Sequence, residues 1–125
     1  MENSILAKVK EKLSAAILES AEFRGELTLV VKREDIVLVC RFLRDDAELS
    51  FNFLSDLTAV DRQGREPRFD VIYHLYSLDK NHRLRLKVRA GENEAVPSVT
   101  SVWSDANWFE REVFDMFGIE FDGHP

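Results

Sequence analysis

Between positions 82 and 90 the sequence reads His-Arg-Leu-Arg-Leu-Lys-Val-Arg-Ala. Leu84, Leu86 and Val88 alternate with Arg83, Arg85, Lys87 and Arg89, and a pleated strand is the backbone form that sends two such sets to opposite faces. A helix would scatter the four cations around its circumference. The segment therefore predicts a sheet with one apolar and one basic face, and the apolar face needs a cover. Two readings of the basic face stand. It is a solvated surface, where an exposed ion pair contributes at most about 1 kcal/mol, or it is a docking face for an acidic partner. Like charges in a row repel unless acids neutralise them, and Asp70 on the preceding strand is one candidate.

The cover comes from segments of a different period. Ile5, Leu6, Val9, Leu13, Ala16 and Ile17 recur every three or four residues, which predicts a helix capped by Asn3 or Ser4. A short strand over residues 27–31 follows Gly25. Residues 32–46 place Glu34 and Asp35 in a first turn and Ile36, Val39, Cys40 and Leu43 on one face, a second helix. The β-branched run 36–40 would also suit a buried strand. From Leu49 the period shortens. Phe51, Phe53, Leu57 and Ala59 alternate with Asn52, Asp56 and Thr58, interrupted at Phe53-Leu54, so a strand with a bulge or short turn is expected. A polar loop over 61–67 leads to Phe69, Val71, Tyr73 and Leu75 alternating with Asp70, Ile72, His74 and Tyr76. Asp79-Lys80-Asn81 then makes a hairpin turn into the basic strand. After Gly91 and Glu92-Asn93-Glu94, Pro97 opens a last segment that ends in a helix. The expected fold class is α+β, a two-layer sandwich whose helices cover one face of a mainly antiparallel sheet.

At 125 residues and 45% hydrophobic content the chain can bury one compact core and is too short for two, so residues 1–125 are expected to form a single domain. Its formal charge of −6 argues against nucleic acid, which would need a basic surface overall. The lone cysteine, Cys40, excludes an internal disulfide or a cysteine-built cluster. No apolar run approaches the roughly 20 residues needed to cross a bilayer, so any membrane link is expected to go through a partner. The five glycines are isolated, which leaves no dinucleotide fingerprint or phosphate loop. His74, His82 and His124 stand far apart, and no serine or cysteine sits in a nucleophile motif. Glu110 with His74 as an acid–base pair is the one enzymatic arrangement that the residue types offer.

The last helix carries the most unusual feature. Ser104 or Asp105 can cap it and Gly118 can end it. At about 100° per residue, Phe109, Val113, Phe114, Met116 and Phe117 share a broad arc that also contains Glu110, while Arg111, Glu112 and Asp115 lie opposite. A carboxylate among large apolar side chains is costly unless paired and hydrogen-bonded. Glu110 is therefore expected to meet an arginine of its own chain, such as Arg41 or Arg68, or one on a neighbouring subunit. Arg111 and Asp115, four apart, can pair on the exposed side.

The stretch Ala-Asn-Trp-Phe-Glu-Arg-Glu-Val-Phe-Asp-Met-Phe-Gly-Ile-Glu-Phe-Asp-Gly-His-Pro, over residues 106–125, resembles the signature of the 30 kDa-type subunit of respiratory complex I, NADH:quinone oxidoreductase. Asp56-Leu57-Thr58-Ala59-Val60-Asp61, residues 68–77 and Pro97-Ser98-Val99-Thr100 are similar to that family in the same order, so the likeness spans most of the chain. It implies a cofactor-free α+β subunit of the hydrophilic arm. Its implied neighbours are the large quinone-site subunit and an iron–sulfur subunit, on the cytoplasmic side of the inner membrane and peripheral to it. It implies no catalytic, cofactor-binding or metal residue. The motif falls on Trp108, Glu110, Arg111, Glu112, Asp115, Gly118, Gly123, His124 and Pro125, as determinants of fold and assembly. Complex I members usually continue past Gly-His-Pro, whereas this sequence stops at Pro125. A truncated chain, or a short member like the corresponding subunit of energy-converting membrane-bound nickel–iron hydrogenases, is therefore expected.

Overall fold

A computed structural model describes the backbone of residues 2–125 and the side chains from Ser4 onward. Helix α1 (Glu2–Leu13) and a 3-10 turn (Ser14–Ala16) lead into strand β1 (Ile17–Phe23), which returns as β2 (Glu26–Val31). A second 3-10 turn (Arg33–Asp35) runs into α2 (Ile36–Asp45). Strands β3 (Phe53–Asp61), β4 (Phe69–Ser77) and β5 (His82–Ala90) follow, then β6 (Val96–Pro97), α3 (Ala106–Phe117) and β7 (Phe121–Asp122). The main sheet runs β1-β2-β5-β4-β3, with β2 and β5 parallel and the other neighbours antiparallel. The fold is α+β, as the periodicities predict.

The sorting of residues follows the pleat. Leu27, Leu29 and Val31 of β2, Val71, Tyr73 and Leu75 of β4, and Leu84, Leu86 and Val88 of β5 are buried on one face. They form one cluster with Ile5 and Val9 of α1 and with Ile36, Val39, Cys40 and Leu43 of α2. Each such aliphatic side chain removed from water contributes about 1.5–3 kcal/mol, which makes this cluster the main stabilising element. Residues 36–40 are helical rather than strand, because the spacing Ile36, Val39, Cys40, Leu43 puts all four on the sheet.

Several elements depart from the sequence reading. The first helix stops at Leu13, and Ile17 opens a strand. Residues 18–23 are all exposed and include the helix-formers Leu, Glu and Ala, so no burial pattern marks them as strand. Pairing with β2 decides, through a tight turn in which Arg24 (φ 53°) and Gly25 (φ 80°) are both left-handed. The helix already runs from Glu2, so Ser4 lies within it rather than capping it, and the side chain of Asn3 is outside the described residues. In β3 the expected bulge is present, as a register slip between Leu54 and Asp56, and only the placement of Phe53 departs. The bulge turns Leu54 and Leu57 inward and leaves Phe53 44% exposed, whereas simple alternation groups Phe53 with the apolar face. Phe51 is buried just ahead of the strand. The His82 ring stacks on it at 4.6 Å, and Trp103 Nε1 donates to its carbonyl at 3.1 Å. The two-residue ladder of β6 and β7 has no sequence signal of its own.

Candidate assembly interface

Helix α3 starts after Asp105, which makes no side-chain cap bond. It ends at Gly118 (φ 73°), whose N–H donates to the Phe114 carbonyl at 2.8 Å. The left-handed residue swings the chain back so that β7 pairs with β6, Val96 N–H donating to Glu120 O at 2.9 Å and Ser98 N–H to Asp122 O at 2.8 Å. Gly123 (φ 82°) turns it once more, and His124 Nε2 meets Asn107 O in the first turn of α3 at 3.2 Å. Gly118, Gly123 and His124 thus close the C-terminal segment against its own helix, which gives the spacing of the motif a backbone cause.

Glu110 is buried, with 1% of its surface exposed. It does not meet Arg41 or Arg68. Arg41 reaches Ser101 Oγ at 3.4 Å, and Arg68 is held by Asp61 at 2.7 Å through two parallel bonds and by Glu92. Instead Ser98 Oγ donates to Glu110 Oε1 at 2.7 Å and Val99 N–H donates to Oε2 at 2.8 Å. The same Ser98 hydroxyl accepts the Thr100 N–H at 3.2 Å and contacts Thr100 Oγ1 at 2.9 Å. These neutral donors satisfy the oxygens without supplying a counter-charge. Burial pushes the Glu110 carboxyl up. The Val99 and Ser98 hydrogen bonds and the nearby His124 pull the other way, and the net direction is upward.

Around Glu110 the packed stripe is narrower than the arc drawn from sequence. Ala106, Glu110 and Val113 are buried and Phe109 and Phe117 are partly covered, but Phe114 is 48% and Met116 76% exposed. The arc spans about 160°, and only its centre reaches the sheet. Trp108 is 60% exposed on the far side. Arg111, Glu112 and Asp115 are exposed as expected, and among the described residues Arg111 and Asp115 form no ion pair with each other or with any other group. Gly118, Gly123 and Pro125 are exposed and His124 is partly covered. A cleft of about 330 Å³ lies between α3 and β7, lined by Glu110, Arg111, Phe114, Glu120, Phe121 and His124.

The basic ladder is largely neutralised from within. Arg85 pairs with Glu26, Arg89 with Glu19 at 2.9 Å, and Lys87 lies 4.0 Å from Asp70. Asp70 is buried and also takes Arg62 at 3.0 Å and Arg65 at 2.5 Å. Burial pushes its carboxyl up, but the bonds from Arg65 and Arg62 outweigh that and hold it below the ordinary range. Arg83 has no carboxylate partner among the described residues and lies 5.7 Å over the Tyr76 ring. Sequence spacing names the rungs, but it does not reveal that loop arginines fold over Asp70.

The acid–base pairing of Glu110 with His74 has no geometric basis. His74 stands in register with Asp56 and Arg85 on the ladder face, where it lines a separate cleft of about 450 Å³. Its strand neighbour Tyr73 is the residue that points to the Glu110 side, where burial and the nearby Cys40 and Glu110 raise its phenol. Among the described residues no three His, Cys, Asp or Glu side chains gather as a metal site, and no helix is long and apolar enough to cross a membrane.

Comparison with known proteins accords with this geometry. The C-type subunit of NADH-quinone oxidoreductase from Roseiflexus sp. (strain RS-1) is 56% identical over 98% of this chain and 71% of its own length. That of Geotalea uraniireducens (strain Rf4) is 48% identical over 98% and 74%. Among solved structures, the trypsin-resistant fragment of Nqo5 superposes with a TM-score of 0.79 at 29% identity, covering 100% of this chain and 98% of that one. A chain of the membrane-bound sulfane sulfur reductase, an archaeal respiratory membrane complex, superposes with a TM-score of 0.82 at 27% identity over 98% of this chain and 71% of that one. Residues 29–125 match the family described as respiratory-chain NADH dehydrogenase, 30 kDa subunit, and the chain belongs to that family.

Proposed function

We propose that this chain is a cofactor-free assembly subunit of the hydrophilic arm of NADH:quinone oxidoreductase. It docks beside the large quinone-site subunit and an iron–sulfur subunit and holds them in register, so that electrons pass from NADH to quinone with coupled ion translocation. Its place is peripheral, on the cytoplasmic side of the inner membrane, and it reaches the membrane through its partners. The observation that carries this reading is the exposure of Trp108, Phe114 and Met116 on α3. These large side chains lie in the segment most typical of the family, and such anchors are what subunit interfaces use. Motif residues Trp108, Arg111, Glu112 and Asp115 face outward, where they are free to meet a neighbour. Glu110, Gly118, Gly123 and His124 shape the segment that presents them.

The test is reconstitution with the quinone-site subunit. The wild-type chain is expected to bind it in stoichiometric amount, and the isolated chain to show no flavin or iron–sulfur absorbance and no NADH oxidation. Stoichiometric cofactor, or failure to bind, refutes the reading. The likeness to a chain of the membrane-bound sulfane sulfur reductase, a respiratory complex other than NADH:quinone oxidoreductase, leaves room for a second reading, the equivalent subunit of an energy-converting membrane-bound nickel–iron hydrogenase. Preferential binding to a hydrogenase-type large subunit would select it.

A further inference from the structure

We propose that the face built by α3 and β7 is a docking surface for a basic protein surface, and that an arginine guanidinium of the partner enters the cleft between Glu110 and Glu120. The inference rests on the assembly reading for the existence of a partner and adds the chemistry of the contact.

Charge distribution is the first argument. Residues 105–125 contain six carboxylates, Asp105, Glu110, Glu112, Asp115, Glu120 and Asp122, against a single cation, Arg111. Of the overall charge of −6, only one unit therefore lies in the 104 residues before them. Pairing is the second. Ion pairs among the described residues occupy the sheet, α1, α2 and the loops as far as Glu94, and three of the four ladder cations are matched by Glu19, Glu26 and Asp70. None of the six C-terminal carboxylates has a cationic partner within ion-pair distance among those residues. Elsewhere most carboxylates are ion-paired and the two signs nearly balance, whereas this segment carries the excess of negative charge, on the helix that also exposes Trp108, Phe114 and Met116. Exposed apolar side chains interspersed with uncompensated carboxylates are complementary to a basic surface that also offers apolar contacts.

The cleft supplies the anchor. Its volume of about 330 Å³ admits a side-chain head group, and the Glu110 carboxylate is already fixed in its wall by Ser98 and Val99. Glu120 is exposed opposite, and Phe114 and Phe121 offer ring surface. A planar guanidinium can lie on an aromatic ring while donating to carboxylates on its edges, which an ammonium group does less well. Arg111 and His124 also border the cleft, and His124 Nε2 is engaged with Asn107 O.

The experiment uses the full chain and the purified quinone-site subunit. Calorimetry at low and high salt with wild type, Glu120→Lys and Asp115→Lys should show affinity falling at least about tenfold on adding salt and on each reversal. In parallel, L-arginine amide is titrated into the isolated chain while the carboxyl carbon resonances of Glu110 and Glu120 are followed, with L-citrulline amide as the uncharged control. Saturable shifts with arginine amide alone are expected. If wild type binds but salt and both reversals leave affinity unchanged, the docking chemistry is wrong while the assembly reading stands. If wild type does not bind at all, the assembly reading falls. The titration then decides the cleft, and equal responses to the two amides overturn it.

Discussion

Glu110 of α3 accepts a 2.8 Å hydrogen bond from the backbone N–H of Val99, eleven residues earlier, inside a wall where no cation among the described residues pairs with it. One side chain thereby joins the last helix to the segment that follows β6. Its removal should be felt in both. Glu110→Ala orphans the Val99 N–H, at a cost of about 1–3 kcal/mol when left buried and unpaired, and leaves the Ser98 hydroxyl with Thr100 alone. Glu110→Gln keeps an acceptor of the same shape and should cost clearly less. Urea denaturation of the two variants checks this, and equal stability of alanine variant and wild type would refute it.

The pH dependence should carry the same signature. The folded carboxyl of Glu110 titrates above its unfolded value of 4.5, so between the two the folded state holds a proton that the unfolded state has lost. Stability from this group therefore decreases as pH rises through that window. Asp70 acts in the opposite sense. Its folded value lies below the unfolded 3.8, so its contribution is present above that pH and is lost as pH falls through the folded value. Glu110→Gln should flatten the slope on the higher side of pH 4.5 and leave the acid limb unchanged. Thermal melts across the acid-to-neutral range test it, and an unaltered slope in the glutamine variant would contradict it.

Cys40 is fully buried, and burial, with the nearby Glu110, pushes its thiol far up. The thiolate is the reactive form. Reaction with a disulfide reagent should therefore be very slow in the folded protein and at least about a hundredfold faster in denaturant. Fast modification of the native protein would show that the α2 face opens readily.

The ladder should matter little to stability. Arg89→Ala and Arg85→Ala remove pairs with half-exposed or exposed acids and should each cost under about 1 kcal/mol. Leu86→Ala, on the buried face of the same strand, should cost about 2–5 kcal/mol. Comparable losses at the two faces would contradict the assignment of faces.

The strand that carries both is where the sequence is most legible. Its alternation places every side chain of β5, because period two is incompatible with any other element. The spacing Ile36, Val39, Cys40, Leu43 favours a helix for α2, but the β-branched run 36–40 would also suit a strand, and the packing of all four side chains against the sheet decides. β1 is not legible, because an exposed edge strand has no buried side to mark its period, and only pairing with β2 makes it a strand. Simple alternation fails at Phe53 because one bulge exchanges the faces. On α3, periodicity places Glu110 correctly on the packed side but does not say where the packing ends, so it assigns Phe114 and Met116 inward. Nor does it supply Ser98 and Val99 as partners of Glu110, since those come from a segment whose approach depends on the β6–β7 ladder.

If the exposed face of α3 joins this chain to the quinone-site subunit, removing its apolar anchors should separate the two. The most direct measurement is the affinity of that subunit for wild type and for a Trp108→Ala, Met116→Ala double variant whose fold is verified by circular dichroism and melting temperature. Both side chains are mostly exposed, so the variant should fold like wild type. Binding at least about a hundredfold weaker is expected when two interface anchors are removed. Undiminished binding by the folded variant would contradict it.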